Sequence, residues 1–190
     1  MDAATAQAIE MHLAKESIIS ATQVGFKRLT PDAAIPTKAH PTDSGFDLVA
    51  SADVIIEPGA TIVVPTGIAA QLPAGYEATV RPRSGVTAKT KLRVQLGTID
   101  NGYGGEIGVI VDNISNAPDL KARKVRTIAG EIIPSYARGL RRFDTYLIRK
   151  GDRIAQLVIT RLPDVEAVEV FGVEDSARGT QGFGSSGVSV

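Results

Sequence analysis

The stretch Val54-Ile-Ile-Glu-Pro-Gly-Ala-Thr-Ile-Val-Val64 sets two short β-branched runs on either side of Glu57-Pro-Gly59. Branched side chains suit a pleated, half-buried surface, and a Pro-Gly pair favours a reversal between the runs. The rhythm continues outward through Tyr76–Val80, Ile107–Val111, Ile154–Ile159 and Val165–Val170, with Leu72-Pro-Ala-Gly75 and Lys150-Gly-Asp152 as further turn signals. Short strands at this spacing predict an all-β fold, a compact antiparallel jelly roll or barrel that protects its strand edges.

The bulk properties narrow the function classes. A chain of 190 residues suits one domain with an elaboration. Its 21 Lys and Arg balance 21 Asp and Glu, which argues against general nucleic-acid binding but not against a local basic patch. The absence of cysteine excludes disulfides and thiolate metal sites, and His12 and His40 are too far apart for a metal motif, so any metal must use oxygen ligands. No apolar run reaches the ~20 residues needed to cross a bilayer, so no membrane association and a cytoplasmic location are expected.

The chain divides into a helical appendage over residues 1–23 and one domain over 24–190, which holds an inserted segment over 114–150 and a C-terminal arm over 176–190. The appendage is expected because Ala3 to Ser20 is rich in helix formers and lacks Gly and Pro. The segment 114–150 breaks the strand rhythm and is locally basic, its Lys and Arg residues from Lys121 to Lys150 outnumbering Asp119, Glu131 and Asp144. Ile133, Tyr136, Leu140 and Phe143 fall near one helical face there, although Gly139 disfavours a helix by about 1 kcal/mol. Such a segment is either a working surface or a solvated elaboration.

Five glycine-bearing clusters carry the chemistry. In Arg178-Gly-Thr-Gln-Gly-Phe-Gly-Ser-Ser-Gly187 the glycines let successive N–H groups converge on phosphate oxygens. Arg178 adds a charged fork, Ser185 and Ser186 add hydroxyls, and Phe183 is suited to lie on a base. Taken alone, the same composition also describes a flexible tail.

Gly97-Thr-Ile-Asp100-Asn-Gly-Tyr103-Gly-Gly105 carries an Asn-Gly pair between apolar runs, a hairpin signal. A backbone N–H and C=O at the mouth of such a hairpin could pair with uracil and reject cytosine, whose polarity there is opposite. Asp100 is a candidate general base for a water, or simply a turn cap.

Pro82-Arg-Ser-Gly85 offers a guanidinium, a hydroxyl and free N–H groups to an anion at the end of a strand. Thr42-Asp-Ser-Gly-Phe-Asp47-Leu48 places a carboxylate in a turn, to hold a hydrated Mg²⁺ or buttress an arginine. Gly151-Asp-Arg-Ile-Ala-Gln156 starts a strand whose inward side is read as Ile154 and Val158, with Gln156 the polar exception and a candidate phosphate or water contact.

The order and content of these five clusters resemble the trimeric deoxyuridine triphosphate nucleotidohydrolases, the dUTPases, over about Val24 to Val188. The resemblance implies their jelly-roll fold of the β-clip type, and Mg²⁺-dependent hydrolysis of dUTP to dUMP and pyrophosphate. It also implies a homotrimer with sites shared between chains. Such an activity keeps uracil out of DNA and supplies dUMP.

Carried over by position, it implies that Asp100 activates the water attacking the α-phosphorus and that Tyr103 packs on deoxyribose. Main chain at Leu96, Gly97 and Ile99 would read uracil. Ser84 and Gly85 would contact the phosphates, Arg83 would fix Asp47 or the phosphates, and Gln156 would approach the α-phosphate and its water. Arg178, Gly184, Ser185 and Ser186 would clamp the distal phosphates while Phe183 covers the base. Asp47 would reach the metal through water.

Two departures stand out. Some members place an asparagine six residues before the aspartate, where this chain has Val94, so recognition should rest more on the main chain. The segment 114–150 resembles the additional segment of dUTPases encoded by bacteriophages of Gram-positive bacteria, through Gly130-Glu131-Ile132 and Thr145-Tyr146, and such a segment can engage a repressor protein.

Three other readings compete with the dUTPase. One is a regulatory interaction protein acting through the basic segment. A second is a deaminase of dCTP on the same barrel, which would need a glutamate where this chain has Ile110. The third is a plain jelly-roll binding module.

Overall fold

The computed structural model describes residues 23–115, 124–134, 144–174, 176 and 179. The helix expected before Gln23 lies outside them, as do Arg178, Phe183, Gly184, Ser185 and Ser186 of the arm. Among the described residues, thirteen strands and one short helix follow in chain order. They are β1 (Gly25–Arg28), β2 (Gly45–Val49), β3 (Val54–Ile56), β4 (Thr61–Val64), β5 (Ile68–Gln71) and β6 (Tyr76–Pro82). The helix α1 (Ser84–Lys89) comes next, then β7 (Leu92–Val94), β8 (Gly97–Ile99) and β9 (Val109–Asn113). The last four are β10 (Lys124–Thr127), β11 (Ile132–Pro134), β12 (Thr145–Ile148) and β13 (Arg153–Arg161).

The strands form four small sheets, ordered β1-β5, β11-β10-β12-β3, β2-β13-β6-β8 and β4-β9-β7. Every pairing is antiparallel except β10 with β12. The all-β expectation is met. Between the sheets, Leu48, Ile56, Val64, Leu92, Ile107, Val109, Ile148 and Leu157 are fully buried. Each such side chain contributes about 1.5–3 kcal/mol by leaving water.

Strand β13 is central, flanked by β2 and β6, and its register shifts between Arg153 and Ala155. A bulge inserts one residue and changes which side chains share a face. Leu157, not Val158, therefore points into the core beside Ile154 and Ala155. Gln156 takes the other face and lies over Gly45, diagonally across the pair, where a Cβ would come within 3.1 Å of both Cβ and Oε1 of Gln156.

Other local expectations are corrected. Residues Val165 to Val170 form no strand, and Val165, Val168, Val170, Phe171 and Val173 are all exposed. β-branched residues favour a strand only where a neighbouring edge accepts their backbone, and among the described residues none does. Around Asn101-Gly102 the chain reverses through a Tyr103 N–H to Asp100 carbonyl bond of 3.0 Å, yet the flanking strands do not pair with each other. β8 pairs with β6, and β9 with β4 and β7. Neither Asn101 nor Gly102 has a positive φ, so the turn lacks the twist that joins a tight hairpin. Asp47 lies inside β2, beyond the turn expected to hold it, whereas Arg83 to Gly85 follow the end of β6 as expected and lead into α1. Ile133, read on a helical face, sits in β11; Tyr136, Leu140 and Phe143 lie outside the described residues.

Within the segment 114–150, β10 and β11 form a hairpin, and β10 runs alongside β12, which pairs with β3 of the core. Val125 and Thr127 are buried. Arg149 meets Glu131 at 2.8 Å, and this hydrogen-bonded partner raises the arginine's pKa further. Asn113 is buried and its Nδ2 donates to Ile56 O at 3.0 Å and to Asp144 O at 2.8 Å, tying the exit from β9 to the entry of β12. No described helix is long and apolar enough to cross a membrane.

Candidate active site

One cleft of about 770 Å³ gathers residues from three of the sequence clusters, among them Asp47, Arg83, Ser84, Gly85 and Gln156. β2 supplies Asp47 and β13 supplies Gln156, in register with each other. The end of β6 and the start of α1 supply Arg83 to Gly85. Asp47 Oδ1 meets Arg83 Nε at 3.2 Å, and Oδ2 meets Arg153 Nη1 at 3.1 Å. Arg83 also donates to the Arg153 carbonyl at 3.0 Å.

Of the two roles open to Asp47, buttressing an arginine is therefore realised directly. Two guanidiniums on one carboxylate are held in fixed directions, which suits planar recognition of phosphate. Lys89 and Arg153 add positive charge to the same cleft. Gln156 donates its amide to Pro82 O at 3.2 Å, which orients the side chain along the cleft wall. Ile128 and Ala129, from the turn between β10 and β11, complete the lining.

A second cleft, of about 590 Å³, holds the other group of expected residues: Gly97, Ile99, Asp100 and Tyr103, with Glu106, Val63, Pro65, Gly108 and Ile110. Asp100 is exposed. The Tyr103 hydroxyl donates to the Glu106 carbonyl at 3.0 Å. The ring folds so closely over Gly105 that a Cβ there would stand 2.5 Å from the hydroxyl oxygen and would push the Tyr103 ring from this position. Ile110 presents an apolar wall to this cleft. Val94 is buried in the core and Leu96, though largely exposed, lies outside the cleft lining.

The two clefts share no lining residue. Within one chain, then, Asp100 and Tyr103 come together, and Arg83, Ser84 and Gln156 come together, but the two groups do not merge. Among the described residues no three His, Cys, Asp or Glu side chains converge on a metal position. Arg153, Lys89 and Glu106 were not singled out from the sequence. Arg153 lay inside the quoted Gly151–Gln156 cluster, whereas nothing about Glu106 in the sequence marks its fold-dependent contacts.

A family model described as dUTPase matches residues 31–133 and 141–187, passing over 134–140 inside the basic segment. The deoxyuridine 5'-triphosphate nucleotidohydrolase of Thermobifida fusca is 41% identical over 172 residues, covering 90% of this chain and 82% of the relative. The dUTPase of Staphylococcus bacteriophage 80alpha, solved with dUPNHPP, superposes with a TM-score of 0.82 at 38% identity, covering 88% of this chain and 99% of that one. That work describes phage dUTPases as controlling transfer of virulence genes by a proto-oncogenic G protein-like mechanism. A variant of the dUTPase from phage phi11 of S. aureus, described as revealing the coordination of a structural Mg(II) ion, has a TM-score of 0.75 at 34% identity, covering 81% of this chain and 100% of that one. With all five clusters inside the matched residues and their fold shared, the chain belongs to the dUTPase family.

Proposed function

We propose that this chain, a nucleotide hydrolase of the dUTPase family, cleaves dUTP to dUMP and pyrophosphate in a homotrimer. The observation that carries the reading is the division of base-reading and phosphate-binding residues between two clefts with no common wall. A second chain can bring one cleft against the other. The exposed apolar residues from Val165 to Val173 favour such association.

In the assembled site Asp100 takes a proton from a water that attacks the α-phosphorus. A new P–O bond forms, the bond to the bridging oxygen breaks, and pyrophosphate leaves with its electron pair. Phosphoryl transfer needs chiefly an aligned water and neutralised oxygens. Gln156 lies along the approach of that water, Ser84 and Gly85 meet the phosphates, and Arg83 is held in place by Asp47. Tyr103 packs on the sugar, main chain at Leu96 to Ile99 reads the base, and Arg178, Phe183, Gly184, Ser185 and Ser186 close over the nucleotide.

The donor set fits Mg²⁺ held mainly by phosphates and water. Asp47 has spent one lone pair of each oxygen on a guanidinium and keeps acceptor capacity for a metal-bound water. When bound, the ion neutralises phosphate charge. Pyrophosphate release measured across the eight common nucleoside triphosphates, with and without Mg²⁺, tests the reading, and an assembled sample that leaves dUTP intact overturns it. Ammonia released from dCTP would instead indicate a deaminase. Truncation before Arg178 should slow turnover strongly without abolishing assembly; full activity of the truncated chain would remove the arm from the mechanism.

A regulatory role for residues 114–150, in binding a protein partner such as a repressor, is favoured by one contact: Ile128 and Ala129 line the phosphate cleft. A partner on this segment would then sense whether nucleotide is bound. Capture of a repressor in the absence of dUTP, and its release on adding dUTP, is the expected result.

A further inference from the structure

The loop from Asp100 to Glu106 is tied down at both ends by side chains to which the reaction assigns no part. At its start, Asn101 Nδ2 donates to Pro73 O at 2.7 Å and to Tyr76 O at 3.2 Å, with Leu72 O at 3.5 Å. At its end, Glu106 Oε1 accepts the backbone N–H of Gly67 at 2.7 Å and of Thr66 at 3.0 Å. The buried Thr66 returns a bond from its own hydroxyl to Ile107 O at 2.6 Å. Between these anchors stands Tyr103, whose hydroxyl rests on the Glu106 carbonyl. Because the strands on either side of the loop pair elsewhere, no hairpin ladder fixes its shape.

We propose that Asn101 and Glu106 are positioning residues that hold this loop in the shape that discriminates base and sugar. The inference rests on the dUTP reading of the site. Asn101 is joined directly to Asp100, so its anchor sets where the general base stands. Glu106 fixes the far end of the loop against the β4–β5 turn and so fixes the height of the Tyr103 ring over the cleft. Glutamate is suited to this role because one carboxylate oxygen can accept two adjacent N–H groups, and a charged acceptor strengthens both bonds.

The test uses the full chain in three variants, Glu106→Ala, Glu106→Gln and Asn101→Ala, with kcat and KM for dUTP, dCTP and UTP, and thermal unfolding as a check on folding. Wild-type cleavage of dUTP is measured first; its absence overturns the reading of the site, whereas wild-type activity with unaltered variants overturns this inference alone. Loss of the acceptor in Glu106→Ala should raise KM for dUTP by about tenfold, with kcat changed far less, and should lower the preference for dUTP over UTP. Glu106→Gln retains an oxygen for both N–H groups and should recover most of that loss. Asn101→Ala should lower kcat by about tenfold, since its neighbour is the general base.

Wild-type KM and selectivity in Glu106→Ala, or a Glu106→Gln variant as defective as alanine, would overturn the proposal for Glu106. If Glu106→Ala does not fold, Glu106→Gln and Asn101→Ala decide. Wild-type kcat and selectivity in Asn101→Ala sink its part, and a folded Glu106→Gln with KM raised as far as tenfold sinks the other.

Discussion

Asp47 shows how one side chain sets the chemistry of several others. By holding Arg83 and Arg153 on separate oxygens it aims two cations into one cleft and offsets their mutual repulsion. Asp100 stands differently: it is exposed in the other cleft, with a shape-fixing neighbour on each side of its loop. Asp100→Asn should keep KM within a few-fold of wild type while kcat falls by roughly a thousandfold, since the change removes the base and spares the binding surface. Steady-state kinetics would check this, and an equal loss of affinity would count against the role. Arg83, Ser84, Asp100 and Gln156 could be picked out from the sequence as candidates because each sits in a glycine-bearing cluster whose residue types suggest anion or water chemistry, and all four line one or other of the clefts. Glu106 could not, because its partners Thr66 and Gly67 become neighbours only when the turn before β5 folds against the base loop.

At the level of the element, β13 explains why a correct strand can still present the wrong face. The run Ile154–Ile159 is a strand as expected, but the bulge near Arg153 is a pairing irregularity that composition does not encode, so Leu157 was missed as a core residue and Gln156 was freed for the cleft. The strand expected at Val165–Val170 failed for a related reason: propensity describes a residue's fit to a sheet and not the presence of a neighbour.

The β4-β9-β7 sheet offers a pH test. Thr61 donates to Asp112 at 2.6 Å, and Gln95 donates to its other oxygen. These bonds, that from Thr61 foremost, hold the carboxyl below its ordinary value of 3.8. A depressed folded pKa contributes stability that is present above that ordinary value and lost as pH falls through the lower one. Thr61→Val should therefore be less stable than wild type at neutral pH, with the gap narrowing below pH 3.8. Urea unfolding across that range would show it, and a pH-independent gap would assign the effect to packing instead.

For the whole molecule, the proposed function makes activity a property of the assembly, because within one chain the two clefts share no wall. Chains carrying Asp100→Asn and chains carrying Ser84→Ala should each be nearly inactive alone. Refolded together from an equal mixture, they should recover about a quarter of the wild-type rate, because random assembly places an intact base cleft beside an intact phosphate cleft at about that frequency. No recovery in mixed assemblies of confirmed composition would place both clefts' residues in one chain's site. The two bonds from buried Asn113, to the carbonyls of Ile56 and Asp144, have a different reach. This clasp moors the end of β9 to the start of β12, so whatever loosens it is felt in the strands between them and, through Ile128 and Ala129, in one wall of the phosphate cleft.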